Sequence, residues 1–399
     1  MAQAPEGLTE LSGRTVVLAH MVSDLSPPAR TAGSPPIAGK PSKARLPILD
    51  GLRGVAALIV VAYHIFDSDA VNAVNHGYLA VDFFFMLSGY VMGYAYDDRW
   101  GSMSVGSFFR RRLVRLHPMV VVGSIIGAIC FYFGASGLFP LIKGTSFATL
   151  IVATVAGALL IPTPKSMDVR GWAESYLLNG PAWSLFFEYV ANIAYALWIR
   201  KFGLRTLGVL VAVFGAVLAA VILTNDNGTV GCGWFFTPEH QWKGAVRLFF
   251  PFLAGLFLFR FGKTIAVKHA MLLTSCVLVV LFAMPRIGPD AMPWVNGLYE
   301  CGVIILVLPV VVMIGAGSRT VSAFGDKVCD FLGELSYPLY LVHYPVHYVL
   351  FGWIADAKPT PGLKLAVSGA VYLASLALGY VVMRFVDTPI RRRLARFAR

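Results

Sequence analysis

Residues 206–225 have the sequence TLGVLVAVFGAVLAAVILTN, which is twenty consecutive positions without a Lys, Arg, Asp or Glu. An α-helix of that length extends about 30 Å, the thickness of the hydrocarbon core of a bilayer. Further uncharged runs of similar length are residues 116–142, 144–164, 269–285, 301–318, 335–355 and 365–383. The pattern predicts a protein that crosses a membrane several times.

The composition of the whole chain agrees with this interpretation. Of 399 residues, 57% are hydrophobic and 14% are charged, whereas a typical soluble protein has about 25% charged residues. So few charges cannot cover a water-facing surface, which excludes a soluble enzyme or a nucleic-acid-binding protein. The net charge of +12 reflects basic blocks between apolar runs. The five cysteines lie far apart and form neither a metal-binding motif nor a disulfide framework, so we expect no metal.

Eleven segments are predicted to be helices, and the fold class is an all-α, polytopic membrane bundle. About ten of them cross the membrane. Residues 146–162, which end beside Pro162 and Pro164, are predicted to form a re-entrant or surface helix. The eleven segments are residues 50–67, 78–96, 117–135, 146–162, 181–200, 204–223, 246–261, 268–285, 299–316, 331–351 and 363–386.

The distribution of basic residues predicts the orientation, because Lys and Arg accumulate in cytoplasmic loops. With both termini in the cytoplasm, the cytoplasmic segments hold 24 of the 33 basic residues. The chain then divides into a disordered cytoplasmic tail over residues 1–46, a transmembrane domain over residues 47–390, and a basic cytoplasmic tail over residues 391–399.

Ionisable residues inside apolar helices are candidate functional residues, because they are costly to bury without a partner or a cavity. Arg53 and His64 share one face of the first helix, about 16 Å apart. Asp82 follows in the second helix, where it could pair with His64 or cap the helix. Arg53 could also be an interfacial residue, and His64 a packing residue. Glu188 lies about two turns inside its helix, and we expect it to be functional.

Two further groups of polar residues stand out. Ser336, Tyr340, His343 and His347 fall on one face of a helix, which must border a cavity or another helix. The second group is an arginine cluster near the predicted cytoplasmic surface, and guanidinium groups match phosphate oxygens well. A topogenic signal or a contact with lipid headgroups would explain the cluster equally well. The cluster consists of Arg110, Arg111, Arg112 and Arg115.

These residues leave two classes of function open. A proton-coupled transporter of a small anion or polar solute could use an arginine with a His/Glu relay. An enzyme could bind a phosphate-bearing donor and use the histidine as a base or a nucleophile.

Five motifs in order resemble those of the acyltransferase 3 family, whose members are membrane-bound and mostly O-acetylate bacterial cell-surface glycans. The resemblance extends from Leu46 to about Arg393. Phe186, Phe187 and His117 depart from the usual pattern. The motifs are the Arg-x10-His of residues 53–64, GYLAVDFFFMLSGYV of residues 77–91, RRRLVRLHP of residues 110–118, GPAWSLFFE of residues 180–188, and LGELSYPLYLVHYPV of residues 332–346 followed by VDTPIRR of residues 386–392.

The resemblance implies an enzyme that moves an acyl group from acyl-CoA, with acetyl-CoA as the expected donor, to a hydroxyl of a surface glycan or lipid-linked sugar such as a lipopolysaccharide. It also implies that His64 is catalytic with Arg53 as its partner, either as a base or as a transient acyl carrier. The expected location is the bacterial cytoplasmic membrane. In full, the candidate residues are His64, Arg53, Glu188 and Asp82 for catalysis, Arg110, Arg111, Arg112 and Arg115 for acyl-CoA, and Ser336, Tyr340 and His343 for the acceptor.

Overall fold

The computed structural model of the chain describes residues 45–66, 74–394 and 396. Residues 1–44 of the predicted N-terminal tail lie outside the described residues. The described part is helical and contains no β-strand, only two isolated bridges between residues 136 and 139 and between residues 174 and 235. The all-α prediction is confirmed.

The helices are named here in chain order. Short π-helical turns, Gly302–Val307 and Met383–Asp387, join α9 to α10 and α12 to α13. The bounds are α1 Pro47–Phe66, α2 Ala80–Tyr96, α3 Val105–Cys130, α4 Phe147–Ala158, α5 Ala182–Leu197, α6 Leu204–Leu223, α7 Pro238–Phe261, α8 Ala270–Ala283, α9 Pro293–Cys301, α10 Leu308–Gly317, α11 Ala323–Ala357, α12 Pro361–Val382 and α13 Thr388–Leu394.

Several of these helices begin where the sequence supplies a hydroxyl cap. A Ser or Thr side chain at such a position accepts a hydrogen bond from one of the first backbone N–H groups, which otherwise have no partner. Caps of this kind start α3, α4, α7, α11 and α12 at Ser104, Ser146, Thr237, Ser322 and Thr360.

Within the residues that the structure describes, seven helical segments are long and apolar enough to cross a membrane, and they indicate an integral membrane protein. They correspond to α1, α2 with its preceding turn, α3, α6, α7, α9–α10 and α12–α13. Apolar side chains such as Val209 on α6 and Leu373 on α12 are more than 60% exposed. Such surfaces suit contact with lipid rather than with water.

The short helices bear on the predicted number of crossings. Helix α4 lies within the segment predicted as re-entrant, and its 12 residues extend only about 18 Å, too little for a bilayer core of about 30 Å. Helices α5 and α8 have 16 and 14 residues. The ten membrane crossings therefore stay a prediction. The short length of α4 agrees with the prediction that residues 146–162 do not cross the membrane.

One predicted boundary is wrong. The third predicted helix starts at residue 117, whereas α3 begins at Val105, where Ser104 caps it. The arginine cluster consequently lies on the first turns of a long helix. That places its side chains at fixed angles around the helix axis instead of in a loop.

Glycines allow two pairs of helices to approach closely. A Cβ atom at Gly54 of α1 would lie 2.5 Å from the carbonyl oxygen of Leu332 on α11. On α2, a Cβ at Gly89 would lie 1.9 Å from the carbonyl oxygen of Phe252 on α7. Small residues at such crossings let backbones pack directly in membrane proteins. Because of the first crossing, the polar faces of α1 and α11 meet.

The crossing of α2 and α7 predicts a specific effect of mutation. We expect Gly89→Ala to lower thermal stability in detergent, because the added methyl overlaps backbone, and overpacking costs about 1–3 kcal/mol. Gly369→Ala on α12 is the matched control, since its Cβ meets no atom within 4 Å; it should leave stability unchanged or slightly raised. Equal melting temperatures for the two variants would contradict the close α2–α7 contact.

Candidate active site

Hydrogen bonds join the polar faces of α1 and α11 at two positions along the helices. Near one end, Arg53 donates from Nε to Ser336 Oγ over 3.0 Å and from Nη2 to the carbonyl of Gly333 over 2.8 Å. Further along the same faces, His64 Nδ1 lies 2.9 Å from His343 Nε2. Four residues proposed from sequence, far apart in the chain, thus form one site.

The hydrogen bonds also define which nitrogen of His64 is available. His343 Nδ1 lies 3.1 Å from the carbonyl oxygen of Leu339, which can only accept, so Nδ1 carries the hydrogen. In the neutral pair, His343 Nε2 is then an acceptor and His64 Nδ1 is the donor. This assignment leaves a lone pair on His64 Nε2, the atom that can act as a base or a nucleophile.

Aromatic side chains of α11 surround the histidine pair. The ring of Tyr344 contacts the ring of His64 edge-on, with 4.8 Å between ring centroids. The ring centroids of His347 and His64 are 5.9 Å apart. His343 and His347 are buried, whereas His64 is partly exposed. The pair is therefore shielded from bulk water on the α11 side and open on another.

Asp82 does not have the predicted partner. Its carboxylate is fully buried and binds Arg247 of α7, with 3.1 Å from Nε to Oδ1 and 2.8 Å from Nη2 to Oδ2. Arg247 also donates to the carbonyl of Tyr78. The predicted pairing of Asp82 with His64 is wrong. The guanidinium of Arg247 neutralises the buried carboxylate through two hydrogen bonds, and His64 is already hydrogen-bonded to His343.

Glu188 is paired, as a carboxylate at that depth must be. It accepts a hydrogen bond from Arg112 Nη2 over 2.7 Å, and the hydroxyl of Ser88 lies 3.5 Å away. This ion pair joins α5 to α3. One nitrogen of Arg112 is thus engaged within the protein, while its buried Nε has no hydrogen-bond partner among the described residues. The expected role of Arg112 in binding acyl-CoA stays a prediction.

The positive charges of Arg111 and Arg115 are less neutralised than that of Arg112. Neither Arg111 nor Arg115 forms an ion pair with a described residue, and the Nε of Arg111 is buried without a partner. Arg115 is close enough to Arg53 and Arg112 for their positive charges to interact, and close enough to Glu188 for its carboxylate to offset part of this repulsion. Such a concentration of like charge is unfavourable by itself and favours the binding of an anion. Arg110 lies exposed at the same end of α3.

Two hydroxyls expected to contact the acceptor are engaged within the protein. Ser336 accepts from Arg53 and donates to the carbonyl of Gly333. Tyr340 lies 2.8 Å from the hydroxyl of Ser184, whose hydrogen is directed to the carbonyl of Pro181. The structure thus presents both as groups that hold helices together, and their contact with a substrate stays a prediction.

The segment between α4 and α5, residues 159–181, carries polar residues that the sequence did not single out. Asn179 donates to the carbonyl of Leu341 over 2.8 Å; that carbonyl is free because Pro345, four residues later, has no N–H. Glu174 accepts a hydrogen bond from Tyr348, and burial raises the pKa of Glu174 to about 7. These two hydrogen bonds connect the segment to α11 within about one helical turn of His343 and Tyr344.

Arg247 was also missed, although a lone arginine in an apolar helix signals a buried partner. Within the part of the chain that the structure describes, no three His, Cys, Asp or Glu side chains gather so that they could hold a metal ion.

The fold and this site define an integral membrane protein with a hydrogen-bonded histidine pair and a cationic face near the other end of α1. The family model described as an acyltransferase domain matches residues 46–384, which is most of the chain. The chain belongs to the acyltransferase 3 family, and it is an O-acyltransferase. The resemblance inferred from the motifs is confirmed, and nothing in the comparisons supports the transporter alternative.

Similar proteins include several with acyltransferase names. Acyltransferase MdmB of Streptomyces mycarofaciens is 27% identical over 89% of this chain and 94% of its own length. Peptidoglycan O-acetyltransferase OatA of Listeria monocytogenes is 25% identical over 88% of this chain, which covers 56% of the Listeria protein. Protein 2 in picA locus of Rhizobium radiobacter is 35% identical over 44% of this chain. No solved structure matches the chain.

The Asp82–Arg247 pair allows its structural and catalytic roles to be separated. We expect Asp82→Asn to lower stability by about 3–5 kcal/mol, because it leaves a buried guanidinium without its counter-charge. The double variant Asp82→Leu with Arg247→Met should regain most of that stability and also retain acyl transfer. Glu239→Gln, which breaks an exposed pair with Lys243, serves as the control with little effect. A stable double variant without activity would show that the pair takes part in the reaction.

Proposed function

We propose that the protein transfers an acyl group, acetyl in the first place, from acyl-CoA to a hydroxyl of a cell-surface glycan or lipid-linked sugar. The observation that carries the proposal is the His64–His343 hydrogen bond, which leaves His64 Nε2 available for chemistry. Family membership supports the reaction class. The similarity to the peptidoglycan O-acetyltransferase of Listeria supports a cell-surface glycan as the acceptor.

The two ends of α1 suit the two ends of acyl-CoA. Arg53 and His64 are eleven residues apart, so about 16 Å of helix separates them. In acyl-CoA, the long pantetheine arm separates the phosphates from the thioester. Arg115 lies near the Arg53 end of α1. Phosphates held by Arg111 and Arg115 would therefore place the thioester near His64, with the arm extended along α1.

The lone pair on His64 Nε2 can start the reaction in two ways. As a general base, it removes the proton of the acceptor hydroxyl while the oxygen attacks the thioester carbonyl, and it then returns that proton to the departing CoA thiolate. As a nucleophile, it attacks the carbonyl itself and carries the acyl group to the acceptor. In both routes His343 holds the imidazole in the required tautomer.

The orientation follows from the location of the donor. Acyl-CoA is a cytoplasmic metabolite, so we place the arginine cluster and both termini at the cytoplasmic face of a bacterial cytoplasmic membrane. The asymmetry of 24 among 33 basic residues supports this orientation. His64, further into the bundle, would meet a glycan or lipid-linked sugar that approaches from the opposite side.

The proposed role of His64 as base or nucleophile leads to a testable prediction. His64→Ala should insert and bind acyl-CoA normally but form no acylated product, since an acid–base or nucleophilic group contributes at least about 10²-fold. His343→Leu should lower kcat by more than tenfold, whereas His343→Gln should retain much of it, because the Gln carbonyl can accept from His64 Nδ1. Product formation and CoA release by the purified variants are the measurements.

Undiminished turnover by His64→Ala would remove His64 from the mechanism. Equal losses in His343→Leu and His343→Gln, with normal folding, would argue against a hydrogen bond that positions His64. Solute flux without acyl transfer by the unmodified protein would reject the proposed enzyme altogether.

The arginine cluster gives a second prediction. Replacing Arg111 and Arg115 together with Gln should weaken acyl-CoA binding by several kcal/mol, because each charge-assisted hydrogen bond contributes about 1.5–3 kcal/mol. Lys at both positions should recover part of the affinity, since the charge remains while the fork is lost. Titration of labelled acyl-CoA onto the detergent-solubilised protein measures the effect.

The control must remove the same charge elsewhere on the predicted cytoplasmic face. Lys201 and Arg205 are exposed at the start of α6, and their joint replacement with Gln should leave acyl-CoA affinity unchanged. If both double variants bind acyl-CoA as the unmodified protein does, the cluster on α3 serves topology rather than donor binding.

A further inference from the structure

His347 is a buried histidine whose hydrogen-bonding capacity is unused. It is 1% exposed, and its Nδ1 is buried without a partner. The structure shows no hydrogen bond at its Nε2 either, within the described residues. His343, by contrast, uses both ring nitrogens. A buried polar atom without a hydrogen bond is unfavourable, and native proteins contain few of them.

The position of His347 connects it to the site. It lies one helical turn after His343 on α11, so both imidazoles flank His64. The ring centroids of His347 and His64 are 5.9 Å apart, and the rings of Tyr344 and Phe351 contact His347 at 5.0 and 3.9 Å. The aromatic contacts hold the ring in place without using its nitrogens.

The ligand group that best fits such a nitrogen is a hydroxyl. A neutral imidazole has one N–H and one lone pair, and a hydroxyl can both donate and accept. It can therefore satisfy His347 in either tautomer, which a carboxylate or a phosphate oxygen cannot do. The acceptor in the proposed function is itself a hydroxyl.

We propose that His347 binds the acceptor hydroxyl and takes its proton, and that His64 carries the acyl group between the donor and the acceptor. This assignment rests on the proposed function and selects between its two routes. A single lone pair cannot hold an acyl group and accept a proton at the same time. The carrier route therefore requires a second base, and His347 supplies one beside His64.

The acyl group moves first to His64 and then to the hydroxyl, in two half-reactions that conserve atoms and charge. In the first, His64 Nε2 bonds to the thioester carbonyl carbon, the carbon–sulfur bond breaks, and CoA leaves as a thiolate that takes a proton from water. The positive charge stays on the acyl-imidazolium, whose Nδ1–H donates to His343. In the second, the hydroxyl oxygen attacks the acyl carbon, its proton passes to His347, and the carbon–nitrogen bond breaks. His64 regains its lone pair, and His347 returns the proton to water.

The test separates the two half-reactions with a variant that keeps the aromatic packing. His347→Phe removes both nitrogens but preserves a ring against Phe351. With radiolabelled acetyl-CoA, we expect one equivalent of CoA to be released per protein at the normal rate, with label retained on the protein. Transfer to hydroxyl acceptors, for which the probes are water and the methyl glycosides of glucose and N-acetylglucosamine, should fall about 10²-fold or more. Transfer to hydroxylamine, a nucleophile that needs no base, should be unchanged.

The matched control is His240→Phe, because His240 also packs among aromatic rings, at 4.7 Å from Phe235, outside the site. It should retain both half-reactions. His347→Gln repeats the experiment if the Phe variant does not fold, since Gln cannot act as a base.

The outcomes are distinguishable. Loss of hydroxyl transfer with retained CoA release and hydroxylamine transfer supports the role of His347. Normal hydroxyl transfer by folded His347→Phe overturns it, and so does an equal loss of both half-reactions, which would indicate a structural role. If the unmodified protein acylates an acceptor but neither releases CoA nor retains label without one, the general-base route operates, and the proposal for His347 is overturned while the proposed function stands. If the unmodified protein releases no CoA with any acceptor, the proposed function fails, and the proposal fails with it.

Discussion

The close crossing of α1 and α11 is the contact on which the site depends. Gly54 leaves no side chain between the helices, so the backbone of α11 at Leu332 lies against α1. At that distance Arg53 reaches Ser336 and the carbonyl of Gly333, and three turns further His64 reaches His343. A larger residue at position 54 would separate the two polar faces and remove both sets of hydrogen bonds.

Charges inside the bundle divide into two groups with different consequences. Asp82 with Arg247, and Glu188 with Arg112, neutralise each other within hydrogen-bonding distance and link neighbouring helices. Such pairs replace the lost hydration of their members and fix how the helices pack. The second group has buried polar atoms without a hydrogen-bond partner among the described residues. It includes the Nε atoms of Arg111 and Arg112 and the Nδ1 of His347, and in the proposed function Arg111 and His347 meet substrate.

The arrangement of these groups along α1 and α11 suits acyl transfer between two substrates. Cationic side chains lie at one end of α1, and imidazoles lie about three turns deeper. Asp82 and Glu188 do not compete for His64, because both are bound to arginines. Among the described residues, the hydrogen-bond partner of His64 Nδ1 is another imidazole, which fixes the tautomer of His64.

The sequence by itself determined that this is an all-α membrane protein, because uncharged runs such as residues 206–225 admit no other structure in a bilayer. It also identified Arg53, His64 and His343, since polar residues in apolar helices are few, and the order of the motifs indicated the family. Only the tertiary structure decided the partners. Asp82 binds a residue 165 positions away, and His64 one 279 positions away. Helical spacing shows which side chains share a face, but which faces meet depends on how the helices cross.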